Sequence, residues 1–395
     1  MEHSTQRINT GGFLVLAASM ILMCVLGSIH AFSVFLEPLE DLFAETRTAV
    51  SLTYSLSLVC LTVSVLICHH VFRRVSPVWV ALGICVVAAG GCLLAAFATN
   101  LPQVWIGYSV LFGGANGFGY ALSLQCSAQA NPQWKGTAMG LVTASYAVGA
   151  ILAPVPFNDL LVQYGFGGAM AGLAAVLGVI APVVAFLLMR GCAVLEVDAA
   201  PNQTGETPRL HRPLLALLWV GYGTAVAAGL MAIGHATGIA RAGGLSDTLV
   251  LLAPMVIAGA NMIGSLLGGW LTDRLSVRVV LMAFPAVSSG ALFLLALAGM
   301  GPVVLVGLGV VGFAYGAIIA VYPAAISRLF GVVGGVRAYG YVFTAWGTFG
   351  LLAPVLAGYL FEGSGNYTVP LIVAGAAGLV SLIVVRFMPL SVQEH

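Results

Sequence analysis

Apolar runs dominate the chain and fall near 11–34, 48–69, 77–98, 101–123, 136–157, 167–190, 213–237, 247–270, 278–299, 302–326, 337–361 and 368–388. Each is long enough to cross about 30 Å of hydrocarbon, which takes roughly 20 helical residues. Twelve transmembrane helices are predicted. A helix closes every backbone hydrogen bond within its own segment, whereas a membrane barrel needs short alternating strands that this pattern lacks. The longest hydrophilic interval, 191–212, holds Glu196, Asp198, Pro201, Asn202, Gln203, Thr204, Gly205 and Glu206. A polar segment of this composition reads as a linker between a six-helix bundle over 1–190 and a second over 213–395.

An internal repeat supports that division. The segment Ala138 to Val155 returns about 200 residues later as Ala338 to Val355, where Ala138/Ala338, Gly140/Gly340, Val142/Val342, Leu152/Leu352, Ala153/Ala353, Pro154/Pro354 and Val155/Val355 are identical. Tyr146 meets Trp346 in this frame. Gly113-Gly114-Ala115-Asn116-Gly117 of helix four likewise meets Gly312-Phe313-Ala314-Tyr315-Gly316 of helix ten. Glycines four residues apart let helix backbones approach closely in lipid, so tight packing is the first expectation for them. Helices five and eleven are thus a pseudo-symmetric pair.

Composition changes the picture only by excluding a water-soluble fold. The chain is 60% hydrophobic and 7% charged, against about 25% charged in soluble domains. Charge placement then orients it. Arg7, Arg73, Arg74, Lys135, Arg190, Arg209, Arg212, Arg274, Arg278, Arg328, Arg337 and Arg386 fall on one side of a twelve-helix path, and Arg47 and Arg241 on the other. By the positive-inside rule both termini are expected in the cytoplasm, as in a multi-pass plasma membrane protein. The acidic residues Glu37, Glu40, Asp41 and Glu45 read as a solvated external loop with no assigned role. Single cysteines, mostly within spans, read as small apolar residues rather than disulfides. No metal-ligand spacing, phosphate loop or nucleophile–base set is found, so neither a metal nor another cofactor, nor an enzymatic or ATP-driven function, is expected. Nucleic acid is not an expected partner.

Several residues carry candidate chemistry. His30 in helix one and His235 in helix seven are the histidines that hydropathy places in the membrane. An imidazole titrates near neutrality and pairs with an anion when protonated, so both are candidates for proton coupling, with capping of the loop 238–244 as the bland alternative for His235. Asn116, Tyr120, Asn261, Tyr315 and Gln125 can donate hydrogen bonds to a ligand or tie helices together.

The run Gly268-Gly269-Trp270-Leu271-Thr272-Asp273-Arg274-Leu275-Ser276-Val277-Arg278 resembles the loop signature of the major facilitator superfamily. Gly316-Ala317-Ile318-Ile319-Ala320-Val321-Tyr322-Pro323, Arg337-Ala338-Tyr339-Gly340 and Phe343-Thr344-Ala345-Trp346-Gly347, together with Gly27 to Phe35, resemble its oxalate/formate antiporter and monocarboxylate transporter branch. The resemblance implies an all-α membrane protein of the major facilitator fold, with helices one, four, seven and ten around a central cavity. It implies substrate-binding roles for His30, Tyr120, Tyr146 and Tyr315, and a gating loop at Asp273 and Arg274. Two departures stand out. Ser265 occupies the place of an arginine found in anion-transporting members, and Trp346 that of a lysine in the oxalate transporter.

A carboxylate placed in low dielectric without a cation or several donors costs several kcal/mol. The expected function is therefore a secondary transporter of a small organic anion or weak acid of monocarboxylate type, by symport or antiport with protons. The substrate site is expected to draw on His30, Asn116, Tyr120, Tyr146, Asn261, Ser265, Tyr315 and Trp346. Export of a neutral or lipophilic compound is the alternative, and a non-transporting membrane receptor stands behind it. The expected partners are the small-molecule substrate, protons and the bilayer around a monomer.

Overall fold

The computed structural model describes residues 10–133, 135–195, 212–272, 274–298 and 300–389. Among them every regular element is helical. Ten helices are long and apolar enough to cross a membrane. One of these, Ala138–Arg190, makes two passes: at Gly165 the backbone turns through φ 70°, and Leu160 comes back against Gly172. A positive φ of this kind is open to glycine without the steric penalty a Cβ brings. The segment 101–130 adds a further pass, giving the twelve that hydropathy predicts.

We number the passes α1 (Thr10–Phe43), α2 (Arg47–Phe72), α3 (Pro77–Ala96), α4 (101–130), α5 (135–164), α6 (166–190), α7 (212–242), α8 (Asp247–Thr272), α9 (Val277–Ala298), α10 (Val303–Phe330), α11 (Ala338–Ser364) and α12 (Thr368–Phe387). Helical geometry runs unbroken from α10 into α11, yet Trp346 bonds to Tyr315. Thirty-one residues of straight helix would span about 46 Å, so the chain doubles back between them.

Glycines set the packing of each half, and they do so twice. Gly113 and Gly117 of α4 lie against Ser57 and Leu61 of α2, while Gly312 and Gly316 of α10 lie against Ile257 and Asn261 of α8. The repeat frame of about 200 residues therefore holds for both partners of the contact, which is what a duplicated half requires. Between the halves, Leu58 and Thr62 of α2 meet Gly350 and Gly347 of α11, and Ile151 of α5 meets Gly259 of α8. Outward faces carry Val86, Val162, Val179, Leu294 and Ile383, a perimeter suited to lipid.

The arginines at the linker end cap helices. Arg328 donates to the carbonyls of Thr272 (2.6 Å) and Leu275 (3.2 Å) beyond α8, and Arg278 to those of Arg386 and Met388 (2.9 Å each) at the end of α12. Cations at helix C-termini satisfy the last free carbonyls and oppose the helix dipole. Arg274 stacks on the Trp270 ring at 4.1 Å. Asp273 and the linker residues 196–211 lie outside the described residues.

The expected loop at 35–46 is corrected. Helix one continues to Phe43 instead of ending near 34, and carries Glu37 and Glu40 with it. Two of the four acids taken as a solvated face are thereby brought into ion pairs, because a helix extended this far reaches Arg47 and Arg241.

Candidate substrate site and the polar seal beside it

Both α1 and α7 depart from α-helical geometry around a histidine. In α1 the stretch Gly27–Phe35 tightens to a 3-10 helix with His30 inside it, and Gly27 backs onto the Tyr146 carbonyl. In α7 the helix breaks at His235, between Arg212–Gly234 and Ala236–Ala242. Such interruptions are tolerated in lipid only where protein or a lined cavity satisfies the backbone.

The first half contributes a wall of rings. His30 Nδ1 lies 2.8 Å from the Tyr54 hydroxyl, and its ring stands edge-on to Tyr146 at 5.4 Å. Tyr146 in turn stands edge-on to Tyr120 at 5.7 Å. The Tyr146 hydroxyl donates to Asn116 Oδ1 (2.9 Å), and Asn116 Nδ2 donates to the Leu26 carbonyl (2.6 Å). Asn116 is fully buried, so its place is behind the wall, holding Tyr146 against α1.

In the second half the same relation recurs with different chemistry. Trp346 Nε1 donates to the Tyr315 hydroxyl (2.8 Å), and Phe343 stacks parallel to Trp346 at 5.6 Å. In each half an aromatic residue on the fifth helix thus donates to a polar side chain on the fourth. Between these two sets of rings the halves meet where Leu58 and Thr62 of α2 pack on Gly350 and Gly347 of α11.

Two neutral donors remain for a ligand. An indole N–H can only donate, so the Tyr315 hydroxyl accepts from Trp346 and keeps its own proton free. His30 Nε2 has no protein partner among the described residues, and when the Tyr54 hydroxyl donates to Nδ1 the free nitrogen carries the proton. His30 and Tyr120 keep partial exposure. Arg47 is the one Lys, Arg, Asp or Glu buried among the described residues, and it sits at the far end of the molecule.

The other residues singled out from sequence lie elsewhere. Ser265 Oγ donates to the Gly316 carbonyl (3.0 Å) and sits 3.4 Å from Asn261 Oδ1, so this pair joins α8 to α10 while retaining partial exposure. His235 is fully buried at the far end. Tyr54 and Phe343 were missed by the sequence reading. The available signal for Tyr54 was a lone phenol among Ser51, Thr53, Ser55 and Ser57 on one apolar helix.

A second polar cluster joins the halves opposite the linker end. Arg47 donates to Tyr367 Oη (2.9 Å) and Glu40 Oε2 (2.8 Å), and its guanidinium stacks on Phe361 at 4.7 Å. His235 lies between Tyr367 Oη (3.0 Å from Nδ1), the Pro354 carbonyl (2.8 Å from Nε2) and Ser51 Oγ (3.2 Å from Nε2). Thr237 donates to the Ser33 carbonyl, Arg241 pairs with Glu37, and the Thr48 amide donates to Glu362 (2.6 Å).

This arrangement of helices matches known proteins. A bacterial homolog of the human lysosomal transporter Spinster, in an inward-facing, unoccupied conformation, aligns with a TM-score of 0.72 at 13% identity over 95% of each chain. A point mutant of the nucleoside transporter NupG aligns with a TM-score of 0.73 at 12% identity over 96% of this chain and 100% of that one. In sequence, the uncharacterized MFS-type transporter YhjX of Escherichia coli (strain K12) is 26% identical over 85% of both chains. Monocarboxylate transporter 13 of Rattus norvegicus is 26% identical over 93% of this chain and 86% of its own. The oxalate:formate antiporter of Oxalobacter formigenes is 21% identical over 92% and 87%. The sequence profile of the Major Facilitator Superfamily matches residues 13–327, and on that match the chain belongs to the superfamily and is a membrane transporter, not an enzyme.

Proposed function

We propose that the protein moves a monocarboxylate or similar weak acid across the plasma membrane by alternating access, coupled to protons. One observation carries this reading: two neutral donors, His30 Nε2 and Tyr315 Oη, belong to the aromatic sets of the two halves, and the one Lys, Arg, Asp or Glu buried among the described residues, Arg47, lies at the far end. In this reading one carboxylate engages one donor from each half, and a proton taken up by His30 makes the complex neutral before it crosses. A dianion would leave a buried negative charge unpaired, at a cost of several kcal/mol. The aromatic faces suit the apolar body of such a substrate. Relatives named as monocarboxylate transporters fit this reading better than the one named as an oxalate:formate antiporter.

In this reading the six-helix bundles, 1–190 and 213–395, rock about the site, with 191–212 as a cytoplasmic linker and both termini in the cytoplasm. Partial exposure of His30 and Tyr120, beside a sealed far end, supports a state open to the cytoplasm. Asp273 and Arg274 serve as the gating loop in this reading.

The test is uptake of labelled lactate, benzoate and oxalate into proteoliposomes under a pH gradient. Saturable, gradient-driven uptake of the monocarboxylates is expected, falling about 10–100-fold in His30→Ala, the worth of one charge-assisted hydrogen bond. Unchanged uptake in that variant removes His30 from the mechanism, and oxalate carried as well as lactate overturns the substrate class. The aromatic lining, with no buried formal charge but the distant Arg47 among the described residues, also favours a second reading, carriage of a neutral lipophilic compound. Thermal stabilisation by benzamide equal to that by benzoate at two pH values would select it.

A further inference from the structure

With a neutral imidazole the hydrogen bonds around His235 have one consistent direction. A guanidinium donates and never accepts, so the Tyr367 oxygen accepts from Arg47 Nη1 and directs its own proton to the nearest remaining acceptor, His235 Nδ1 at 3.0 Å. The Pro354 carbonyl can only accept, so His235 Nε2 carries a proton toward it at 2.8 Å. The relay Arg47→Tyr367→His235→Pro354 is complete with a neutral imidazole. It crosses from the first half to the second at the Arg47–Tyr367 bond, and Ser51 adds a second crossing at 3.2 Å from Nε2.

A second proton on His235 does not fit this arrangement. It would push the Tyr367 hydroxyl proton off Nδ1, where no other acceptor is recorded for it among the described residues, and set a second cation near Arg47. The charged and titratable groups on every surrounding element are already engaged or offer no acceptor. Glu40 and Glu37 of α1 pair with Arg47 and Arg241, Asp247 of α8 with Arg241, and Glu362 of α11 accepts from the Thr48 amide. Tyr54 of α2 lies beside Gly234 with its hydroxyl committed to His30. Among the described residues no carboxylate contacts the His235 ring, whose partners are Tyr367, Pro354 and Ser51. His235 follows the last residue of the apolar span Arg212–Gly234, so separation of the halves would bring water to it.

We propose that His235 is a proton-operated latch: protonation from the far side breaks the relay to Tyr367 and Arg47 and holds that side open, and loss of the proton lets it close. The proposal rests on the alternating-access reading above but on nothing about the substrate.

The experiment is hydrogen–deuterium exchange of the full chain in lipid nanodiscs, without substrate, at pH 7.5 and 5.5, corrected for the intrinsic pH dependence of exchange. Segments 234–245 and 364–368 are expected to exchange several-fold faster at pH 5.5, up to the roughly tenfold per pH unit that one linked proton allows. His235→Gln keeps a donor for Pro354 and an acceptor for Tyr367 but takes no proton, and its exchange is expected to stay within about twofold between the two pH values. Should that variant fail to fold, Tyr367→Phe removes the opposing donor, and its acid response is expected to begin at higher pH. The same acid response in His235→Gln as in the wild type overturns the proposal, as does pH-independent exchange in the wild type or an unmoved response in Tyr367→Phe. Lactate uptake alongside pH-independent exchange would reject the latch while leaving the transport reading intact. Acid-stimulated exchange without uptake of any labelled acid would reject the substrate reading and support the latch.

Discussion

Tyr146 and Trp346 hold corresponding places in the two halves and make corresponding hydrogen bonds, yet they leave different atoms for a ligand. The phenol spends its proton on Asn116, whereas the indole spends its N–H on Tyr315 and so frees a second phenol to donate. Removing either donor exposes what it was holding. In Tyr146→Phe the fully buried Asn116 keeps its Oδ1 without a donor, and a loss of about 1–3 kcal/mol is expected from thermal unfolding in detergent. Wild-type stability in that variant would mean that the bond is not formed in the lipid-embedded protein. Tyr315→Phe removes the free donor instead. It is expected to slow lactate uptake about tenfold and, because the buried Trp346 N–H loses its acceptor, to destabilise the fold by about 1–3 kcal/mol as well; uptake at the wild-type rate would take Tyr315 out of the site.

Among elements, the glycine faces are the parts whose function follows most directly from sequence. Gly113 and Gly117 fall one turn apart on α4, as Gly312 and Gly316 do on α10, and the structure places each pair against a backbone on the second helix of its half. A Cβ at Gly117 would press into the Leu61 carbonyl, which cannot move without shifting α2. Gly117→Ala is accordingly expected to lower the unfolding free energy by about 1–3 kcal/mol, with Gly316→Ala similar because its Cβ meets the Asn261 carbonyl. Gly140→Ala, where nothing stands near the added carbon, serves as the control. Equal melting temperatures for all three would show that the helices are less closely packed than described. The histidine-bearing stretches of α1 and α7 were not legible in the same way. A 3-10 turn or a helix break in an apolar run leaves hydropathy unchanged, and here both depend on neighbours supplied by other helices.

For the whole molecule, an even number of passes predicts both termini on one side of the membrane, so that reporter fusions at the two ends are expected to give the same cytoplasmic signal. Opposite signals would remove one pass and with it the pairing of halves. The polar seal at the far end belongs to this scale too, because its partners come from α1, α2, α7, α8, α11 and the turn before α12. Along the chain, Glu37, Glu40 and Arg47 look like ordinary loop charges, and His235 like a proton carrier or a loop cap. Their meaning comes from residues up to 320 positions away, as in the bond between Arg47 and Tyr367.

Composition, hydropathy and the repeat determined the fold class, the twelve passes, the pairing of halves and the glycine contacts, because these depend on local periodicity and on the transfer of whole segments into lipid. Tertiary structure alone decided which polar groups remain free for a ligand. Donor and acceptor capacity is consumed pairwise, and each pair here, His30 with Tyr54, Tyr146 with Asn116, Trp346 with Tyr315, His235 with Tyr367, joins separate elements. A side chain's chemistry is written in the sequence, but whether its hydrogen bond is already spent depends on what the folded chain sets beside it.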